Sequence, residues 1–364
     1  MQDMIDQFSD TIRVAVLRRT ALRIRGGGTK DFYGNSITAV GDASSENEIL
    51  DPSSFAGLVD YEPTELVVTA RSGTRLADLE GALHEHGQML PFEPPHFGSE
   101  ATLGGCVGAG LSGPRRASAG AVRDFVLGVR MLDGKADDMQ FGGRVMKNVA
   151  GYDISRLLTG SMGTLGLLLE ISLKVLPLPP RELTLYFRMS ESEAIKKMNE
   201  WAGRPLSISA TCFTDGELAV RLSGAEPAVR AARQKLGGEA IAEGGAFWSA
   251  VREQTHPFFQ RGGQLWRLSI KSTAPLLSLP GKQLIEWGGA LRWLMLDEDP
   301  DQESVHSAVR QAAESAGGHA TLFRSPGPRS NVFHPLSPAM ARITQSLKEK
   351  FDPHRIFNPG RMYP

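Results

Sequence analysis

Apolar residues recur at helical spacing from Ile5 to Arg19, which predicts an amphipathic helix, and give way to a short strand from Ala21 to Arg25. A glycine turn and further short strands ending near Asp51 complete the first sixty residues. The β-branched run from Pro63 to Ala70 predicts a buried strand and Thr74 to His86 a helix, whereas the glycine-dense stretch from Gly98 to Gly120 has almost no helical periodicity and predicts loop and tight turn. Phe125 to Leu132 reads as a strand ending in an Asp133-Gly134 turn, and Leu165 to Leu176 alternates as another. Pro177, Pro179 and Pro180 mark a boundary. Beyond it come a strand (Thr184 to Met189), a helix (Ser192 to Ala202), two strands joined at Asp215-Gly216, and a helix (Pro227 to Leu236). This β-α-β-β-α order predicts an antiparallel ferredoxin-like sheet with helices on one face, forming a separate cap. A last helix is predicted from Pro338 to Phe351.

Composition changes this picture in three places. A chain of 364 residues predicts two or three subdomains with cores large enough to need no disulfides. The formal net charge of -1 carries no electrostatic footprint for nucleic acid, so the arginines need local explanations. Only Cys106 and Cys212 are present, which excludes a cysteine-ligated iron–sulfur cluster or Cys-rich zinc site on this chain alone and suits a reducing cytoplasm. The acidic N-terminus lacks a basic signal-peptide region, and no apolar run approaches the ~18 residues of a membrane span, so membrane contact is expected only through a partner.

Three glycine constellations carry candidate chemistry. Arg25-Gly26-Gly27-Gly28-Thr29-Lys30 follows a strand and suits either a nest of N–H groups around a pyrophosphate or an ordinary turn; the motif alone leaves both open. Gly108 to Gly113 matches the GxGxxG nicotinamide-dinucleotide fingerprint, with Asp133 beyond it. The context opposes that assignment, because Pro114-Arg115-Arg116 is a poor helix start and Asp133 has its own turn to explain it. Val145 to Asp153, followed by Gly160 to Gly166, sets amide and hydroxyl groups beside glycines that admit a planar ring, although Asp153 also reads as a helix N-cap.

With Pro94 to Gly98, Ala101 to Gly105, Gly110 to Arg116 and the terminal Phe351-Asp-Pro-His-Arg-Ile-Phe-Asn-Pro-Gly360, these motifs run nearly end to end, in the order found in the vanillyl-alcohol-oxidase superfamily, whose FAD-binding domain is of the PCMH type. The chain resembles that superfamily, and the strings VMKNVAGYD, PPHFG and GLSGPRR are particularly similar to the FAD-binding E subunits of bacterial glycolate oxidases. The resemblance implies an α+β fold with a two-lobed FAD-binding domain over residues 1–180, its lobes about 1–60 and 61–180. It also implies a smaller cap domain over 181–330 and a tail, 331–364, returning to the first domain. It implies that Arg25, Gly26, Gly27, Gly28, Thr29 and Lys30 wrap the pyrophosphate and that Thr102, Gly104, Gly105, Gly110 and Gly113 follow the flavin and ribityl chain. Gly163, Leu165, Gly166 and Leu168 are expected near the diphosphate and adenine, and Asn358 near the isoalloxazine. Pro95, Arg116, Asn148 and Gly151 complete the expected cofactor set. No histidine follows the first glycines, so the FAD is expected to be non-covalent.

The implied activity is oxidation of glycolate or a similar small 2-hydroxy acid to its oxo acid, beside a larger FAD-binding catalytic subunit and an iron–sulfur subunit, with no metal site here. A self-sufficient 2-hydroxy-acid dehydrogenase and a scaffold with structural or no flavin are the alternatives. Arginine suits a carboxylate and histidine a proton, which makes Arg267, Arg292, His319 and Arg324 candidates, each with a structural alternative. Catalytic relatives carry a paired-histidine segment, H-x-G-D-G-N-x-H. Here Gly317 to Phe323 holds His319 and no second histidine nearby, so oxidation is expected to need the larger subunit.

Overall fold

The computed structural model describes residues 1–36, 48–143, 153–296 and 302–363. Helix α1 (Gln2–Arg18) turns Ile5, Phe8, Ile12 and Ala15 to one side and ends where Arg19 adopts a left-handed backbone (φ 55). Its apolar face packs on Leu22 of strand β1 (Leu22–Ile24), Leu50 of the parallel strand β2 (Glu48–Leu50), Phe55 and Phe357. The tail therefore returns to the start of the chain, and a parallel bridge pairs Leu22 with Phe357.

The next elements in order are β3 (Leu58–Glu62), β4 (Val67–Arg71), α2 (Leu76–Glu85), β5 (Gln88–Met89), α3 (Leu103–Ala109), α4 (Arg116–Ala119), α5 (Val122–Phe125), β6 (Val126–Leu132), β7 (Asp138–Gly142), α6 (Ile154–Leu157), β8 (Leu167–Lys174) and β9 (Leu176–Pro177). Five of the strands form an antiparallel sheet in the order β3-β4-β8-β6-β7, while β5 and β9 pair apart from it. Both of the sheet's faces are covered: Ile171 and Leu173 meet Leu76, Leu79 and Leu83 of α2, whereas Leu167 and Leu169 join the α1 cluster.

Two local expectations are corrected. Residues Pro63–Glu65 form a short 3-10 turn, capped by the Glu62 carboxylate accepting from the Thr64 N–H, and the strand starts only at Val67. The glycine-dense segment is not free of helix, since α3 runs through Gly104, Gly105 and Gly108 and ends at Gly110 in a left-handed cap (φ 66), with loop and turn on both sides of it. Each interior glycine costs a helix about 1 kcal/mol relative to alanine. Packing overrides that here, because a Cβ on Gly104 would lie 2.8 Å from the Cβ of Ser72. The Thr102 hydroxyl caps the helix by accepting from the Gly105 N–H at 3.2 Å.

The second half comprises β10 (Arg181–Arg188), α7 (Glu191–Ala202), β11 (Ile208–Thr214), β12 (Glu217–Gly224), α8 (Glu226–Leu236), β13 (Glu239–Ile241), α9 (Gly244–Arg252), β14 (Gln264–Ser269), β15 (Lys282–Glu286), β16 (Leu291–Leu296), α10 (Gln302–Ser315), β17 (His319–Arg324) and α11 (Pro338–Phe351). Its strands build one antiparallel sheet, β13-β10-β12-β11-β15-β16-β14-β17. Helices α7 and α8 cover one face through Ile195, Met198, Trp201 and Val229. The two helices of the β-α-β-β-α stretch thus share one face as expected, and beyond it α9 packs on the other side through Trp248 and Val251, beside Ala109 and Leu111 from the first half.

Charged clasps join the parts. Glu93, from the loop after β5, pairs with Arg115 and with Arg221 of β12, and Arg115 also reaches Glu182 of β10 at 2.5 Å. Burial pushes the Glu93 carboxyl up, but Arg221 and Arg115 outweigh it and hold the group below its usual range. In the tail, buried Asp352 accepts from the Phe357 N–H at 2.8 Å, the Ile356 N–H at 3.1 Å and the Lys348 ammonium at 2.6 Å. Asp352→Ala strips these acceptors and leaves a half-buried cation unpaired, so it should lower stability by about 3–5 kcal/mol, checked by chemical denaturation followed by circular dichroism.

Candidate functional site

Beside β1, the chain leaves the sheet through Gly26, Gly27 and Gly28, and Gly28 takes a left-handed conformation (φ 69). Among the described residues, the backbone N–H groups of Gly26, Gly27, Gly28, Thr29 and Lys30 donate to no protein acceptor, although Ile24, Arg25 and Asp31 on either side all do. Five consecutive donors that meet no protein acceptor in this partly buried loop make a receptor for negative charge. The loop is braced by Asp31, whose carboxylate pairs with Arg23 and Arg25, both at 2.7 Å.

Opposite this loop stands the start of α3. A Cβ on Gly26 would lie 2.8 Å from the Thr102 hydroxyl oxygen, and one on Gly27 would run into the Glu100 carbonyl, so the two segments meet only because side chains are missing. The third wall is the turn at Ser161, Met162 (φ 54) and Gly163 (φ 69), anchored where the Met162 N–H donates to the Gly108 carbonyl at 2.8 Å. Asn358 closes the arrangement: its Oδ1 accepts from the Ile24 N–H at 2.9 Å and its Nδ2 donates to the Met162 carbonyl at 2.7 Å.

Between these walls lies a cleft of about 900 Å³, a space that includes its opening to solvent. Arg25, Gly26, Gly27, Gly28, Thr29, Lys30, Thr102, Gly104, Gly105, Gly163, Gly166, Leu168 and Asn358 all line it. The other described members of the expected set do not line it. Gly110 packs on Gly160, where a Cβ would come within 2.9 Å of the Gly160 Cα. Leu165 is buried in the core of the five-stranded sheet, and Arg116 lies 4.3 Å over the Trp287 ring. Pro95 and Gly113 line a second, smaller cavity, while Asn148 and Gly151 fall outside the described residues.

The cleft also uses residues that the sequence reading passed over: Arg23, Ile24, Asp31, Pro52, Ser72, Gly108, Ala109, Ser161, Met162, Leu167 and Arg361. Gly108 and Ala109 sat inside the GxGxxG match weighed for another dinucleotide, and Arg361 directly follows the closing Asn-Pro-Gly. Ser72 and Pro52 carry no local signal and arrive through chain topology. Arg361 donates to the Asn35 and Asp31 carbonyls, both at 2.9 Å, and burial lowers its guanidinium to about 10. The Lys30 ammonium reaches the His96 carbonyl at 3.2 Å, and burial lowers it from the ordinary lysine range against the pull of Cys106 and Glu253.

The catalytic candidates divide. Arg267 lines the second cavity. Arg292 is a core residue lining neither, donating to the Gly289 and Ala274 carbonyls at 2.9 and 2.8 Å. Arg324 lies 4.5 Å over the Phe32 ring. His319 lies exposed at the start of β17, and the fold supplies the second histidine its sequence neighbourhood lacks: His334, 6.4 Å away between ring centroids and paired with Glu314 at 3.0 Å. Among the described residues no group of three or more His, Cys, Asp or Glu is arranged to hold a metal ion.

An FAD binding domain family matches residues 3–138, the stretch that contributes the glycine loop and α3. Over 361 residues the chain is 49% identical to glycolate oxidase subunit GlcE of Escherichia coli K12, covering 99% of this chain and 98% of that protein. The chain belongs to the glycolate oxidase E-subunit family. A more distant relative, glycolate oxidase subunit GlcD of Bacillus subtilis, is 31% identical over 183 residues, half of this chain but only 37% of that protein. In fold, the E-subunit chain resembles alkyldihydroxyacetonephosphate synthase, with a TM-score of 0.66 at 15% identity over 97% of this chain and 74% of that one. FAD is thus the cofactor, and the cleft suits it: backbone donors for a diphosphate and approaches too close for any Cβ. Gly27→Ala should abolish FAD retention while circular dichroism stays native, read as the ratio of flavin to protein absorbance after desalting.

Proposed function

We propose that this chain binds FAD non-covalently through the residues that line the cleft and serves as the flavin-holding partner of a larger catalytic flavoprotein and an iron–sulfur subunit in a glycolate-oxidising assembly. The run of N–H groups from Gly26 to Lys30, which meet no protein acceptor among the described residues, carries the reading, since it is a ready receptor for a diphosphate. In this reading residues 1–180 and 331–364 form the FAD-binding body and 181–330 the cap.

When bound, FAD supplies a two-electron acceptor that the polypeptide lacks. The chain's own part is positional. Gly26 to Lys30 hold the anionic linkage, with the Lys30 ammonium as the nearby counter-charge. Thr102, Gly104 and Gly105 let the α3 backbone approach the ligand. Asn358 keeps the β1 edge and the Met162 turn at a fixed separation. Among the described residues no helix is long and apolar enough to cross a membrane, so in this reading any membrane contact is made by a partner. The flavin-free scaffold is the weaker reading, because the FAD binding domain match spans the glycine loop and α3 that line the cleft.

Purified alone, the chain should be yellow and keep its flavin colour when mixed anaerobically with glycolate. Adding the catalytic and iron–sulfur subunits should bleach it. A colourless chain that takes up no FAD overturns the proposal, and bleaching by glycolate alone favours the self-sufficient dehydrogenase.

A further inference from the structure

Helix α11 carries its own start and stop signals yet has little beneath it. The Ser337 hydroxyl caps its start by accepting from the Met340 N–H at 3.4 Å, and Pro338 follows in the first turn. At the other end Phe351 enters the core of the five-stranded sheet beside Phe141, and Leu347 packs half-buried against the same core. The Lys348 ammonium pins that end further, donating to the Asp352 carboxylate and to the Thr164 and Phe357 carbonyls at 2.7 and 2.9 Å. From Pro338 to Ile343 every residue is exposed.

Met340, Ile343, Leu347 and Phe351 fall on one stripe, at spacings of three and four. Its lower half belongs to the core. Its upper half lies bare, with Met340 49% and Ile343 52% exposed. Ala339 and Ser346 flank this half on one side and Ala341 and Thr344 on the other, so no long side chain stands beside it. A helix of 14 residues is marginal in water unless an apolar face is buried. Among the described residues nothing of this chain covers the upper half of that face.

Size and charge constrain what does. The helix is about 21 Å long, so packing it on the same helix of a second copy buries far less than the ~800 Å² per partner of a stable interface. A groove that wraps the helix gains more area from the same residues. The exposed charges on α11 are Arg342, Glu349 and Lys350, and Glu349 already faces Arg355 at 4.0 Å. Arg342 and Lys350 leave a positive rim, which repels a second copy and favours acidic residues.

We propose that α11 docks this chain in its assembly, seating Met340, Ile343 and Leu347 in an apolar, acid-rimmed groove of the larger catalytic flavoprotein subunit. The choice of that subunit rests on the function proposed above; the bare stripe and its positive rim do not. Through Lys348 the docked helix bears on the backbone of Thr164 and of Phe357, next to Asn358, so the partner meets this chain at the frame of the cofactor cleft.

The test is titration of the purified FAD-loaded chain, immobilised by a tag, with the larger flavoprotein, with the iron–sulfur subunit and with a second copy of the chain. The larger flavoprotein should bind. Ile343→Glu sets a charge where the isoleucine is buried and should weaken binding about tenfold or more, and Met340→Ala should weaken it less. Arg342→Glu combined with Lys350→Glu should also weaken binding, and added salt should weaken the wild-type pair more than this double variant. Arg230→Glu, exposed on α8, should bind as wild type. The substituted side chains are all exposed, so circular dichroism and FAD content should stay those of the wild type. Wild-type affinity in Ile343→Glu overturns the docking alone, as does a loss in Ile343→Glu confined to self-association or to the iron–sulfur subunit. A folded wild-type chain that binds no larger flavoprotein overturns the function proposed above and the docking with it.

Discussion

One side chain ties two walls of the cleft together. Asn358 sits in a left-handed backbone conformation (φ 41) that points its amide between β1 and the Met162 turn, and it bonds to both. These partners lie 334 and 196 residues away in the chain. The tail that carries Asn358 is held in turn by buried Asp352 and by the bridge from Leu22 to Phe357. The last residues of the chain are thus structural parts of a site built mostly by the first half.

The same geometry separates glycines by place, since at each the missing side chain admits other protein. Gly26, Gly27, Gly104 and Gly163 do so along the edge of the cleft, against Thr102, Glu100, Ser72 and Asn358. Gly110 and Gly113 do so away from it, against the Gly160 backbone and the Glu93 carbonyl. Both kinds look alike in a sequence.

That ambiguity marks the limit of what could be read beforehand. The helices at α1, α2, α7 and α8 follow from periodicity, because each buries one face and exposes the other, whereas α11 buries only Phe351 and leaves Met340 and Ile343 exposed. Helix α3 was missed because its glycines argue against helix, and the Thr102 cap and the contact with Ser72 that reverse the balance are tertiary. Within the site, contiguous runs such as Arg25 to Lys30 were legible as a block, and isolated contributors such as Ser72 were not. Leu165 and Leu168 carried equal signals, yet only Leu168 reaches the cleft. Arg267 and Arg292 were likewise equivalent as candidates. Only the fold shows that Arg292 gives its Nε and Nη2 donors to carbonyls in the core, while Arg267 makes no hydrogen bond among the described residues and lies over the Trp287 ring.

Comparing hydrogen–deuterium exchange of the FAD-loaded and FAD-stripped chain tests the central claim most directly, since it reports on the backbone donors that define the cleft. FAD should slow exchange at residues 24–30, 102–109, 161–168 and 358–361, with the largest change at Gly26 to Lys30. Unchanged exchange in that first loop, or protection confined to the eight-stranded sheet, would contradict it.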